Sequence, residues 1–109
     1  MTSIAEYFSD PAVNMRVALL DRVVTTGNGE WFETAGYDKF TIEVVKDSGA
    51  TLSAQLYVSN QPAPLPDGGV AYGTAVTASA IIEVHRPFRW MRLAPTLSGG
   101  AVSAYLEAV

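Results

Sequence analysis

A chain of 109 residues, 49% apolar and 17% charged, is one domain by size, with enough apolar content for its own core and too much for general disorder. A net charge of −4, from seven basic and eleven acidic residues, disfavours nucleic-acid binding by bulk electrostatics. The absence of cysteine excludes disulfides and thiolate metal sites, and so few charges on a small domain suggest a surface partly hidden against a partner.

The chain opens on "MTSIAEYFSDPAVNMR", which lacks the basic start and apolar run of a signal peptide. No apolar run anywhere approaches a membrane span. Ser3, with Glu6 three residues on, has the capping pattern for one helical turn, and an extended arm fits equally. Residues 1–15 therefore read as an N-terminal arm ahead of a domain over 16–109. Ile4, Tyr7 and Phe8 make the arm apolar, as suits a segment that docks on a neighbour or on its own domain.

From Arg16 onward the period is two. "RVALLDRVV" (Arg16 to Val24) reads as a strand, followed by a Gly-Asn-Gly turn at 27–29 and a short strand with Trp31 and Phe32. Phe40, Ile42 and Val44 alternate with Thr41 and Glu43; after the turn Lys46 to Gly49, Leu52, Ala54, Leu56 and Val58 alternate with polar residues. The two segments read as a hairpin. Asn60 to Gly69, with three of the six prolines, reads as a loop, and Val70 to Ser79 as an irregular edge strand weakened by Gly73. Ala80 to Arg86 is a β-branched strand ended by Pro87. "FRWMRLAP" and Val102 to Ala108, joined by Ser98 to Gly100, read as a second hairpin. The expected fold is all-β: an antiparallel β-sandwich or jelly-roll-like barrel with a short N-terminal arm.

Reactive chemistry is sparse. His85 is the sole histidine, so a serine or threonine nucleophile has one imidazole to choose from, and it stands at a strand end. One histidine without cysteine excludes the usual zinc sets; Asp67 in "PDGG" is the best calcium candidate, and turn chemistry accounts for it. Glu30 and Glu33 flank Trp31 and Phe32, but residues three apart lie on opposite faces of a strand and do not converge as a hydrolytic pair. "GNGEW" has too little spacing information to be a phosphate loop, and no lysine directly follows it. The expectation is a protein without catalytic residues, cofactor or metal.

"HRPFRWMRLAP" (His85 to Pro95) is the busiest stretch. On a strand, Arg89, Met91 and Leu93 share one face, and Phe88, Trp90 and Arg92 share the other. A strand apolar on both faces is covered on both. One cover is the second sheet. The other is either the chain's own loops, with Trp90 as core, or a partner. Tryptophan, phenylalanine, methionine and arginine are the residue types enriched at interface centres. The candidate interface is accordingly Ile4, Tyr7, Phe8, Phe88, Trp90 and Arg92.

Gly29, Trp31, Phe32, Gly36 to Phe40, Ile42, Val44, Val58 to Asn60, Arg89 to Leu93 and Gly99 to Leu106 together resemble the pattern of small β-sandwich structural proteins of tailed bacteriophages. The likeness spans residues 27–109. It implies a non-enzymatic virion component, made in the host cytoplasm. A capsid decoration (cement) subunit suits the size, with the major capsid protein or another virion protein as partner and a homotrimer as the usual state. No nucleic-acid or membrane partner is expected. "R-W-x-R-L" (Arg89 to Leu93) is also similar to a strand of discoidin-like sandwiches, some of which bind sugars. The second expectation is thus a tail or host-recognition module binding carbohydrate, with Trp31, Tyr57, Tyr72 and Trp90 stacking on sugar rings if exposed.

Overall fold

Period-two patterning becomes eight strands in the computed structural model, which describes residues 15–109. They are β1 (Met15–Val23), β2 (Phe32–Glu33), β3 (Phe40–Lys46), β4 (Thr51–Ser59), β5 (Val70–Val76), β6 (Ala80–Val84), β7 (Trp90–Ser98) and β8 (Val102–Ala108). The arm residues Ile4, Tyr7 and Phe8 lie outside the described residues.

The strands form two four-stranded antiparallel sheets, β1-β8-β3-β6 and β2-β7-β4-β5. The sheets face each other across one core, and the strand order is that of a jelly roll. The inward residues are the ones alternation selects. Phe40, Ile42 and Val44 from β3, Leu52, Leu56 and Val58 from β4, and Met91 and Leu93 from β7 are all buried. Each such side chain contributes on the order of 2 kcal/mol by leaving water.

β1 departs from simple alternation. Its pairing with β8 shifts between Ala18 and Leu20 and again between Leu20 and Val23, and Arg22 adopts a left-handed φ of 48°. The irregularity turns two successive residues, Leu19 and Leu20, into the core. The Arg22 N–H, taken out of the ladder, donates to Ser103 Oγ at 3.0 Å.

Both expected hairpins are corrected. β3 pairs with β8 and β6, whereas β4 pairs with β7 and β5, so the Lys46–Gly49 turn carries the chain from one sheet to the other. β7 and β8 are split in the same way. The reason is geometric. Two strands with one apolar face each satisfy alternation whether they lie side by side or face each other across a core, and the same turn residues serve both connections. Of the strands consecutive in sequence, only β4 and β5 pair directly among the described residues, with the proline-rich loop between them.

Candidate functional site

The outward face of β7 carries Trp90, Arg92, Ala94 and Thr96, opposite the core-facing Met91, Leu93 and Leu97. Arg92 is nonetheless 1% exposed, the largest fully buried side chain of the described residues. Its floor is Tyr57, the residue across from it on β4, whose ring centroid lies 4.2 Å from the guanidinium carbon. Its other wall is Trp31, with the centroid at 5.1 Å. Arg92 Nη1 donates to Asn28 Oδ1 at 3.2 Å and Nη2 to the Gly68 carbonyl at 2.7 Å.

Two loops supply this cover, and the sequence explains how they reach it. Residues 26–29 run along the edge of β7 beyond the two-residue β2. Gly27 N–H donates to the Pro95 carbonyl and Gly29 N–H to the Leu93 carbonyl, at 3.2 and 2.9 Å. Thr26 Oγ1 accepts from the Leu97 N–H at 2.9 Å. A Cβ at Gly29 would collide with the Leu93 carbonyl, so only glycine allows this approach. The proline-rich loop closes from the other side, where the Trp31 indole N–H donates to the Leu65 carbonyl at 2.7 Å. Gly69 passes over the Trp31 ring with a φ of 95°, and a Cβ there would lie 2.6 Å from the indole.

No carboxylate among the described residues lies within ion-pair distance of Arg92. The charge is held by two polarised oxygens and two aromatic faces. Burial pulls its pKa below the ordinary arginine value, while Tyr57 and Asp67 act in the opposite direction. An arginine remains protonated under such a shift. Two buried donors, Arg92 Nε and Trp90 Nε1, have no acceptor among the described residues.

The remaining candidates are dispersed. Phe88 is half-buried against the core and meets Tyr72 edge-on, with centroids 5.4 Å apart. His85 is exposed, with Nε2 3.8 Å from Glu83. Glu33 lies 4.0 Å from Arg89 at the surface, and Glu30 is exposed. Asp67 is exposed in its loop. No group of three or more His, Asp or Glu among the described residues is placed to hold a metal. No helix among them is long and apolar enough to cross a membrane.

The structure therefore brings Arg92 together with Trp31 and Tyr57, and it covers Arg92 with the chain's own loops. Trp31 and Tyr57, which the sequence offers as sugar platforms, each turn a ring face to Arg92. Asn28 and Gly68 carry no sequence signal for this contact. They reach Arg92 from 64 and 24 residues away.

The same architecture exists elsewhere. The crystal structure of the SPBc2 prophage-derived protein YomS superposes with a TM-score of 0.67 over 87% of this chain and 92% of that one, at 8% identity. At that identity the likeness is one of fold. No family model matches the chain, and no curated protein matches it in sequence.

Proposed function

We propose that this chain is a non-enzymatic structural protein of a tailed-phage virion, a decoration subunit that binds the assembled head and stabilises it by surface contact. The observation that carries the reading is the jelly roll shared with a prophage-derived protein along nearly the whole of both chains. The motif likeness over residues 27–109 points the same way. Residue chemistry supports it as well. The large polar side chains with unusual environments, Arg92 and Asp47, are spent on holding loops and turns together.

Trp31, Tyr57, Tyr72 and Trp90 are half-buried, and the first two each turn one ring face to Arg92, which leaves less aromatic face free for a sugar ring. This favours the shell over the carbohydrate reading. A protein that binds only the assembled state raises its stability by mass action. Purified protein added to heads that lack it is expected to raise the temperature at which packaged DNA becomes accessible to dye. Failure to bind heads, together with saturable binding to a host-surface glycan, transfers the assignment to the tail or host-recognition alternative.

A further inference from the structure

A sandwich of two open sheets has four edges, and three of these are protected in ways that block strand addition. β1 carries Arg16, Asp21 and Arg22 and two register shifts. β2 is two residues long. β5 slips register opposite Ala54 and Leu56, and Gln55 Nε2 reaches across to the Tyr72 and Gly73 carbonyls, at 3.2 Å each. β6 has no register shift and no side chain bridged across its carbonyls. It pairs with β3 residue for residue, from Phe40↔Val84 to Val44↔Ala80, without a shift. It contains no proline or glycine, and Glu83 is its one charge. Ile81 on its outer face is 63% exposed, and nothing among the described residues pairs with its free side.

We propose that this edge is a self-association surface, on which β6 of a second copy of this chain adds antiparallel to β6 and joins the two β1-β8-β3-β6 sheets into one. Side-chain parity and charge select the register. Residues directly opposite in an antiparallel pair share a face, so the inward Ala80, Ile82 and Val84 must oppose one another and the outward Ile81 and Glu83 likewise. Opposing Glu83 to Glu83 of the second copy puts like charges in contact, and centring on Ile82 makes them diagonal neighbours. Centring on Ile81 avoids both. Ile81 then meets Ile81 of the second copy, Ala80 meets Ile82, and Glu83 faces Ser79 with its own counterpart four positions away. The half-buried Ala80 and Ile82 cover each other at the rim. Glu43, the β3 neighbour of Ile81, is separated from the Glu43 of the second copy by both isoleucines. The match is self-complementary, as a two-fold interface requires. One short strand buries less than a standard interface, so the dimer is weak and concentration-dependent.

The test uses the full chain. Sedimentation velocity across a dilution series into the millimolar range is expected to show conversion from the 11.6 kDa monomer to a dimer. Ile81→Lys, an exposed substitution whose fold is checked by circular dichroism, is expected to weaken association by about tenfold or more. Because the chain has no cysteine, single cysteines report the register. Disulfides need Cβ atoms about 4 Å apart. Ile81→Cys is therefore expected to cross-link to its own copy under mild oxidant, and Ser79→Cys, which leaves the Glu83 charge in place and faces Glu83 in this register, to do so at least about tenfold more slowly. A monomer at every concentration, association unchanged by Ile81→Lys, or equal cross-linking at 81 and 79 overturns the proposal.

Discussion

Asp47 and Ala101 bind each other twice. The Asp47 N–H donates to the Ala101 carbonyl at 2.9 Å, and the Ala101 N–H donates to the Asp47 carboxylate at 3.0 Å. Asp47 follows β3 and Ala101 precedes β8, so this reciprocal pair ties together the two turns that cross between sheets. Arg22 adds a contact at 3.5 Å. The Ala101 N–H holds the Asp47 carboxyl below the usual carboxylate range; partial desolvation opposes it and Arg22 assists. A depressed folded-state pKa contributes stability that is present above the unfolded value and lost as the pH falls through the folded one. Asp47→Ala is expected to lower Tm at neutral pH. The gap to the natural chain is expected to narrow as the pH drops below the ordinary aspartate value of about 3.9. A gap independent of pH contradicts the assignment, and thermal melts at stepped pH decide it.

Gly29 and Gly27 make a matched pair of tests for the closed edge of β7. A methyl group at Gly29 meets the Leu93 carbonyl, whereas one at Gly27 meets nothing within 4 Å. Gly29→Ala is expected to cost about 1–3 kcal/mol, the range for forced overpacking. Gly27→Ala is expected to change stability by less than about 0.5 kcal/mol, as for an ordinary surface substitution. Urea unfolding of both variants measures the difference, and equal effects would show that the segment does not press on β7.

Arg92 tests whether shape or charge holds the loops. Lysine keeps the charge but loses the planar group that stacks on Trp31 and Tyr57 and the fork that reaches Asn28 and Gly68 together. Arg92→Lys is expected to lose about 2–3 kcal/mol, because a desolvated ammonium retains fewer partners. Arg92→Met, which fills the space without a charge to desolvate, is expected to lose less. Denaturant midpoints give the order, and a lysine variant as stable as the natural chain would refute the stacked arrangement.

What was legible in the sequence follows from the range of the physics involved. Phe40 to Val44, Leu52 to Val58 and Val102 to Ala108 announce strands because alternation is local, and Gly73 announces the irregular edge strand for the same reason. Pairing partners are not local. The Lys46–Gly49 turn looks the same in a hairpin and in a link between sheets, and what separates them is the contact between Asp47 and Ala101, 54 residues apart. The site shows the same division. Arg92 and Trp90 are conspicuous on an outward face, but the loops that cover Arg92 hold it through one amide oxygen and one backbone carbonyl, which leave no pattern in the sequence.

The N-terminal segment separates folding from shell binding. Pairing of β1 with β8 begins at Met15↔Ala108, so removing residues 1–14 deletes none of the described ladder. The truncated chain is expected to melt less than about 4 °C below the full chain, a shift equivalent to at most about 1 kcal/mol for a domain of this size. Ile4, Tyr7 and Phe8 are large apolar residues, and burying one such side chain against a partner contributes about 1.5–3 kcal/mol. Losing them is expected to weaken binding to heads by about tenfold or more, equivalent to about 1.4 kcal/mol. Binding by the full chain is expected to change little with salt, since apolar contact is not screened and the chain has no strong basic field. Co-sedimentation with heads and a melting curve, run on both chains, measure the two quantities separately. A truncated chain that binds as tightly as the full one removes the segment from the interface. One that no longer folds assigns Ile4, Tyr7 and Phe8 to the chain's own core.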